Sequence, residues 1–211
     1  MLIAFGALTN LGSTTELLVQ ANSAIDNNDF ETAKELFLSA FSNDKFRLKA
    51  GLKLLWLCRS KNLEIDFSTI ITRLKCDFPN EAYVWMESAR LNKIAGDFAQ
   101  AFEDSKKAIE LKPSILGAYQ LLMSSSFVLN KTHETKEILD KKYPLLKNEE
   151  YFLKVYLSFY KSFKGEPGNL EIIDRIICDG GKGASDSDLI SALRNNLDYL
   201  FQVKSNGKKL K

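Results

Sequence analysis

Apolar residues recur three and four positions apart along most of the chain, which is the spacing of amphipathic helices. Short polar breaks interrupt this pattern at intervals. In the clearest example, Trp85 and Ala89 precede the polar pair Gly96-Asp97, and a new apolar run starts at Phe98. The pattern predicts short antiparallel helices joined by tight turns, without a β-sheet.

The helical pattern repeats with a fixed period. The similar segments Asn28-Asp-Phe-Glu-Thr-Ala33 and Gly96-Asp-Phe-Ala-Gln-Ala101 lie twice 34 positions apart. Positions related by this step are also mostly apolar, as in the columns Leu17, Gly51, Trp85, Tyr119, Leu153 and Ala21, Leu55, Ala89, Met123, Leu157. Because only 45% of the residues are hydrophobic, chance agreement over several columns is improbable. We therefore predict a helical repeat with this 34-residue period.

Capping signatures mark where the predicted helices begin. Asp97 can cap the second helix of its unit, with the Gln100 side chain reaching back to complete a capping box. Ser13 and Glu16 have the same spacing at the start of the first unit. Pro113 disfavours helix in the residue before it and therefore ends a helix there. Each unit is predicted to be two antiparallel helices joined by a short turn.

These features resemble the tetratricopeptide repeat. The residues that carry the resemblance are Trp85, Ala89, Gly96, Asp97, Phe98, Ala101, Ala108 and Pro113. The resemblance implies an all-α fold, an α-solenoid that winds as a right-handed superhelix of about five antiparallel helix pairs plus a C-terminal capping helix. In such a fold Ala33 and Ala101 mark close helix crossings, and Trp85 is expected to be buried beside one of them. Phe67 stands where the small residue of unit 48–81 is expected.

The same period divides the chain into segments. Residues 14–183 form the predicted repeat domain, with units at 14–47, 48–81, 82–115, 116–149 and 150–183. Residues 1–13 are interpreted as an N-terminal cap or tail, 184–203 as the C-terminal capping helix and 204–211 as a basic tail. A capping helix is expected because the last unit of a solenoid otherwise exposes its apolar face.

Composition and charge exclude several classes of function. The formal net charge of +2 is too small to indicate a nucleic-acid-binding surface. Cys58, Cys76 and Cys178 form no CxxC pair, so neither a metal site nor a disulfide framework is predicted, and we expect all three to be buried. No basic residue precedes the short apolar run at the N-terminus, so a signal peptide is not predicted. No apolar run is long enough for a membrane span. A cytoplasmic location is the expectation.

No group of residues predicts an active site, and no cofactor is indicated. His133 is the only histidine and falls in a predicted turn, where a catalytic base is not expected. The glycine-rich segment that begins at Gly180 lacks the order of a phosphate-binding loop and a preceding strand. Tyr156 and Tyr160 follow the core stripe of their helix, whereas Tyr151 lies on its other face. The chain is therefore interpreted as a non-enzymatic protein.

The resemblance implies a scaffold or adaptor that holds a peptide or helix of another protein in the concave groove. First-helix positions predict the protein-binding residues Tyr83, Met86, Arg90, Gln120, Ser124, Phe127, Tyr151 and Lys154. Tyr and Arg are residue types enriched among binding hot spots. One alternative is an accessory or regulatory part of a larger enzyme system, such as a glycosyltransferase. Another alternative is self-association through a terminal repeat.

Overall fold

A computed structural model describes residues 14–61, 63–162, 172 and 174–176. Nine helices form within residues 14–162: α1 (Thr14–Asp26), α2 (Phe30–Phe41), α3 (Arg47–Lys61), α4 (Phe67–Asp77), α5 (Ala82–Ile94), α6 (Phe98–Leu111), α7 (Leu116–Leu129), α8 (Thr132–Leu146) and α9 (Glu150–Ser162). The described residues contain no strand, and the predicted all-α helical-repeat class is confirmed. The predictions for residues 1–13, 184–203 and 204–211 lie outside the described residues.

The chain packs as two compact units that divide between Ser88 and Ala89, inside α5. In the N-terminal unit, α1 packs on α2, α2 on α3, and α3 on α4. In the C-terminal unit, α6 packs on α7, α7 packs on both α8 and α9, and α8 contacts α9. These contacts join helices of the same repeat or of adjacent repeats, as expected for a helical repeat, in which each repeat contacts only its neighbours.

An aspartate caps the second helix of three helix pairs. The carboxylates of Asp29, Asp66 and Asp97 accept a hydrogen bond from the backbone N–H three residues on, over 3.2, 3.1 and 3.0 Å. The Gln100 side chain does not complete the predicted capping box; its amide donates to Asp104 over 2.8 Å instead. Asp104 is buried, and a buried carboxylate needs donors to offset the loss of water.

The turn between α3 and α4 comes three residues later than the 34-residue period predicts. Asp66 is the capping residue of α4 and Phe67 is its first residue, so Ile70 lies four residues after the cap, where Ala33 lies after Asp29. Ile70 and Ala33 are both buried, whereas Phe67 is 36% exposed. The prediction that Phe67 occupies the close crossing is therefore wrong.

Gly51 stands in a column that is otherwise filled by larger side chains, and the packing around it explains why. A Cβ atom at this position would lie 2.9 Å from Leu74 Cδ1 and 2.9 Å from Phe41 Cε2. Leu74 is fully buried. The Phe41 and Leu74 side chains thus fill the space that a larger residue occupies in other units.

Aromatic residues in two successive units make the same hydrogen bond. Trp85 Nε1–H donates to the Pro79 carbonyl over 2.7 Å, and the Tyr119 hydroxyl donates to the Pro113 carbonyl over 2.8 Å. Tyr119 is fully buried, but Trp85 is only half-buried. The prediction that Trp85 is buried is therefore wrong. The Lys75 ammonium group lies 4.5 Å from the centroid of the Trp85 ring, and such a charged group keeps its contact with water.

The cysteines also depart from their prediction. Cys58 is half-buried and Cys76 is exposed, while Cys178 lies outside the described residues. Helix α4 buries Ile70 and Leu74, so Cys76 falls on its opposite face. Burial raises the pKa of the Cys58 thiol, which disfavours the reactive thiolate.

Gly51→Val should destabilise the protein by about 1–3 kcal/mol, because the added methyl groups must displace Phe41 and Leu74 in a packed core. Ser60→Val on the exposed part of the same helix introduces the same side chain without crowding, and should change stability by less than about 0.5 kcal/mol. Chemical denaturation of both variants measures the difference. Equal stabilities would contradict the close approach at Gly51.

Ala101→Leu should destabilise the protein by about 1–3 kcal/mol, because the fully buried Ala101 leaves no space for a larger side chain. Ala99 lies two residues away on the exposed face of the same helix, so Ala99→Leu is the matched control and should be nearly neutral. Thermal and urea unfolding of the pair test this. Similar loss in both variants would mean that the effect does not arise at the helix crossing.

Candidate functional site

Two open cavities lie along the first helices of the repeats. The first, called here the α3 cavity, belongs to the N-terminal unit; it has a volume of about 350 Å³ and is lined by Lys49, Leu52, Lys53 and Trp56. The second, the α5–α7 cavity, belongs to the C-terminal unit; it has a volume of about 310 Å³ and is lined by Arg90, Lys93, Ile94, Gly117, Gln120 and Leu121.

The four residues that line the α3 cavity share repeat positions with four of the six residues that line the α5–α7 cavity. Lys49 and Gly117 belong to one column, Leu52 and Gln120 to a second, and Lys53 and Leu121 to a third; Trp56 and Arg90 share the fourth. We call these four columns of the first helices the first-helix face. The sequence prediction considered these columns only from Tyr83 onward and missed all four residues of the α3 cavity. Subtracting 34 or 68 from the numbers of the predicted or lining residues in the later units gives these four positions.

Trp56 is the largest side chain of the α3 cavity. It is half-buried, and the Lys53 ammonium group lies 5.7 Å from its ring centroid. Leu52, one turn earlier on α3, is also half-buried. The cavity therefore combines apolar surface with positive charge at its edge, which suits a partner side chain that is apolar beside one that is acidic.

The α5–α7 cavity connects three of the predicted binding residues. Arg90 and Gln120 both line it, and the Tyr151 hydroxyl on α9 donates a hydrogen bond to the Gln120 side-chain carbonyl. Tyr151 is 42% exposed, as its position outside the core stripe predicts. Ile94 is also largely exposed beside the two cationic residues of the cavity. Arg90, Gln120 and Tyr151 thus form one continuous patch within the C-terminal unit.

The other predicted residues lie outside both cavities. Ser124 donates to the Leu121 carbonyl over 3.0 Å within α7, and Lys154 pairs with Glu150 on α9. Phe127 is exposed at its edge and packs 5.9 Å from Phe159, measured between ring centroids. In the N-terminal unit, Tyr83 is exposed and Met86 is half-buried. The binding role of all eight residues stays a prediction.

Comparison with solved structures decides the fold. The structure of the MamA protein superposes with a TM-score of 0.60 at 13% identity, covering 94% of this chain and 97% of MamA. A tetratricopeptide repeat protein from Parabacteroides merdae superposes with a TM-score of 0.62 at 14% identity, covering 94% of this chain and 80% of that protein. Yeast Tom70 superposes with a TM-score of 0.59 at 16% identity, covering 90% of this chain and 40% of Tom70.

The chain has a tetratricopeptide-like fold. No protein-family model matches the sequence, and no curated protein matches it. The similarity to these structures therefore lies in the arrangement of helices, because identities of 13–16% leave most side chains different.

A group of hydrogen-bonded side chains links α8 and α9 in this tetratricopeptide-like fold. The hydroxyls of Tyr156 and Tyr160 both donate to Asp140 Oδ1, over 2.7 and 2.6 Å. Lys136 pairs with the other carboxylate oxygen over 2.8 Å. Tyr156 and Tyr160 are buried as predicted, and the group anchors the helix that carries Tyr151.

Burial alone would raise the pKa of Asp140, but the hydrogen bonds from Lys136, Tyr160 and Tyr156 outweigh it and lower the pKa below its usual value. The pKa values of Tyr156 and Tyr160 are raised, first by burial and then by the hydrogen bond to the Asp140 carboxylate. The charged carboxylate is therefore the form that the folded protein stabilises.

Other kinds of site find little support in the part of the chain that the structure describes. It contains no group of three or more His, Cys, Asp or Glu side chains that could hold a metal ion. Its helices are all too short or too polar to cross a membrane. His133, predicted in a turn, lies in the first turn of α8 and is largely exposed, with Nδ1 3.6 Å from Glu137.

Asp140→Asn should lower the free energy of unfolding at pH 7 by about 1–2 kcal/mol, because hydrogen bonds to a charged acceptor are stronger than those to an amide. A lowered folded-state pKa means that Asp140 stabilises the fold above its unfolded pKa of about 3.9 and loses this contribution as the pH falls through the folded value. The difference between the two proteins should therefore begin to shrink at about pH 4 and disappear only below the folded-state pKa of Asp140.

Urea denaturation between neutral pH and the acid range measures this difference. Glu137→Gln, on the exposed surface of the same helix, is the control for the loss of one carboxylate. A gap between wild type and Asp140→Asn that stayed constant down to acid pH would contradict a charged Asp140 in the folded state.

Proposed function

We propose that the protein is a non-enzymatic scaffold or adaptor that holds a peptide or helix of another protein on its first-helix face. The observation that carries the proposal is the recurrence of cavities at the same repeat positions in both units. Of the residues that line the two cavities only Leu121 belongs to the buried core, so core packing does not account for the others. Repeat proteins use such faces as extended binding surfaces.

The chemistry of the face supports a protein partner. Trp56, Arg90 and Tyr151 belong to the three residue types that dominate binding energy at protein interfaces. Each cavity is open and has room for one or two side chains, which suits successive residues of a peptide. The partner-binding set proposed here comprises Lys49, Leu52, Lys53 and Trp56 together with the eight residues predicted from the sequence.

A reducing, cytoplasmic compartment belongs to the same proposal. Cys58 and Cys76 are free thiols in the described chain, and disulfides are rare in the cytoplasm. The exposed Cys76 thiol would otherwise be open to oxidation. Free thiols at both positions therefore support this compartment.

The double substitution Arg90→Ala, Tyr151→Ala should reduce partner capture by roughly tenfold or more, because it removes two hot-spot side chains from one patch. Stability should change little, since neither residue is in the core. Lys107→Ala, Leu145→Ala is the control, as both residues are exposed in the same unit away from the cavity. Quantitative affinity capture with wild type, double variant and control measures the effect.

The proposal requires proteins that the wild type and the control retain and the double variant loses. A captured partner that is itself a catalytic subunit would favour the accessory role in a larger enzyme system. Equal capture by all three proteins would contradict binding at this patch. Capture of the chain's own second copy, together with a doubled mass in light scattering, would favour self-association.

A further inference from the structure

The two cavities share a charge as well as a repeat position. The α3 cavity has Lys49 and Lys53 in its wall, and the α5–α7 cavity has Arg90 and Lys93. Among the described residues that line them there is no Asp or Glu. Each unit by itself therefore presents two cations around an apolar depression.

Most of these cations are not neutralised by neighbouring acids. Lys49, Lys53 and Lys93 form no ion pair with any residue that the structure describes. Lysines elsewhere in the chain do pair, for example Lys131 with Glu103 over 3.1 Å and Lys136 with Asp140 over 2.8 Å. The positive charge of these three lysines is therefore available to a partner, in a chain whose total charge is close to balanced.

The one acid in the four columns of the first-helix face is already paired. Glu87 lies in the same column as Lys53, and its carboxylate is 3.1 Å from the Arg59 guanidinium in the N-terminal unit. Burial raises the pKa of Glu87, and the charge of Arg59 works against that rise. Glu87 therefore faces Arg59, and it does not cancel the lysines of the α3 cavity.

Apolar side chains stand beside each pair of cations. Leu52 and Trp56 accompany the lysines of the α3 cavity, and Ile94 and Leu121 accompany Arg90 and Lys93. Ile94 is 67% exposed, so a partner side chain that covers it removes apolar surface from water. Nucleic acid would match the charge but not these apolar neighbours, and the net charge of +2 is small for that role.

We infer that the first-helix face binds an acidic protein segment in which side-chain carboxylates alternate with large apolar residues. The carboxylates pair with the lysines and Arg90, while the apolar residues cover Trp56 and Ile94. This inference rests on the proposed function and adds the chemistry of the partner. Complementary charge mainly steers association and selects among partners, so binding should weaken with salt.

The test uses fluorescent peptides of about 14 residues, long enough to place several side chains on such a face. The first peptide alternates Glu or Asp with Leu or Phe; the second replaces every acid with Lys, and the third replaces every apolar residue with Ser. Both ends are blocked, so that only side-chain carboxylates contribute. Fluorescence anisotropy should show binding of the first peptide and at least roughly tenfold weaker binding of the other two.

Charge reversal in each unit locates the site. Lys49→Glu, Lys53→Glu should weaken binding of the acidic peptide at the N-terminal unit by roughly tenfold or more, and Arg90→Glu, Lys93→Glu should do so at the C-terminal unit. Each variant should keep the site of the other unit. Lys107→Glu, Lys141→Glu makes the same change of charge at exposed positions outside both cavities and should stay within about twofold. Circular dichroism and thermal unfolding confirm that each variant is folded before binding is measured.

Several results would overturn the inference. These are equal binding of the acidic and basic peptides, equal loss in the control variant, or tighter binding of a single-stranded oligonucleotide than of the acidic peptide. The proposed function has its own test. It is wrong if the Arg90→Ala, Tyr151→Ala variant captures the same proteins as the wild type. If that variant loses its partners but the charge reversals change nothing, the binding face stands and the acidic chemistry is wrong.

Discussion

The close crossing of the two helices in each pair is the constraint on which the rest of the structure depends. It lies four residues after the capping residue of the second helix, and its occupants Ala33, Ile70, Ala101 and Thr135 are all buried. The smaller residues Ala33, Ala101 and Thr135 let two helix backbones approach, whereas α4 carries the larger Ile70 at this position. The approach sets which face of each helix enters the core. Thr135 is buried at this crossing even though its hydroxyl has no hydrogen-bond partner among the described residues.

The crossing also determines which residues are left for a partner. Once one stripe of α3 is buried through Leu54 and Leu55, the stripe of Lys49, Leu52, Lys53 and Trp56 remains accessible. The same rotation on α7 buries Ala118 and Leu122 and leaves Gln120 at a cavity. Of the residues that line the two cavities only Leu121 belongs to the core, so partner chemistry can change at the others without disturbing the fold.

Much of the fold could be predicted because its signals are local. Helix spacing and the capping aspartates depend on residues within one or two turns of each other, and the repeat period follows from their recurrence. The departures arise where a contact from another helix decides the outcome. Gly51 is explained only by Phe41 and Leu74 from the two adjacent helices, and Trp85 is half-buried because its ring faces Lys75. The shifted turn at Asp66 was visible in the sequence, as a further Asp-Phe pair.

The sequence by itself determined the helical class, the repeat and the face that each first helix turns away from the core, since these follow from periodicity along one chain segment. Only the tertiary structure decided which residues of that face meet. The hydrogen bond from Tyr151 to Gln120 spans 31 positions, and the α5–α7 cavity joins Arg90 to Gly117. Such contacts depend on the rotation and spacing of neighbouring helices, to which many weak packing contacts contribute together.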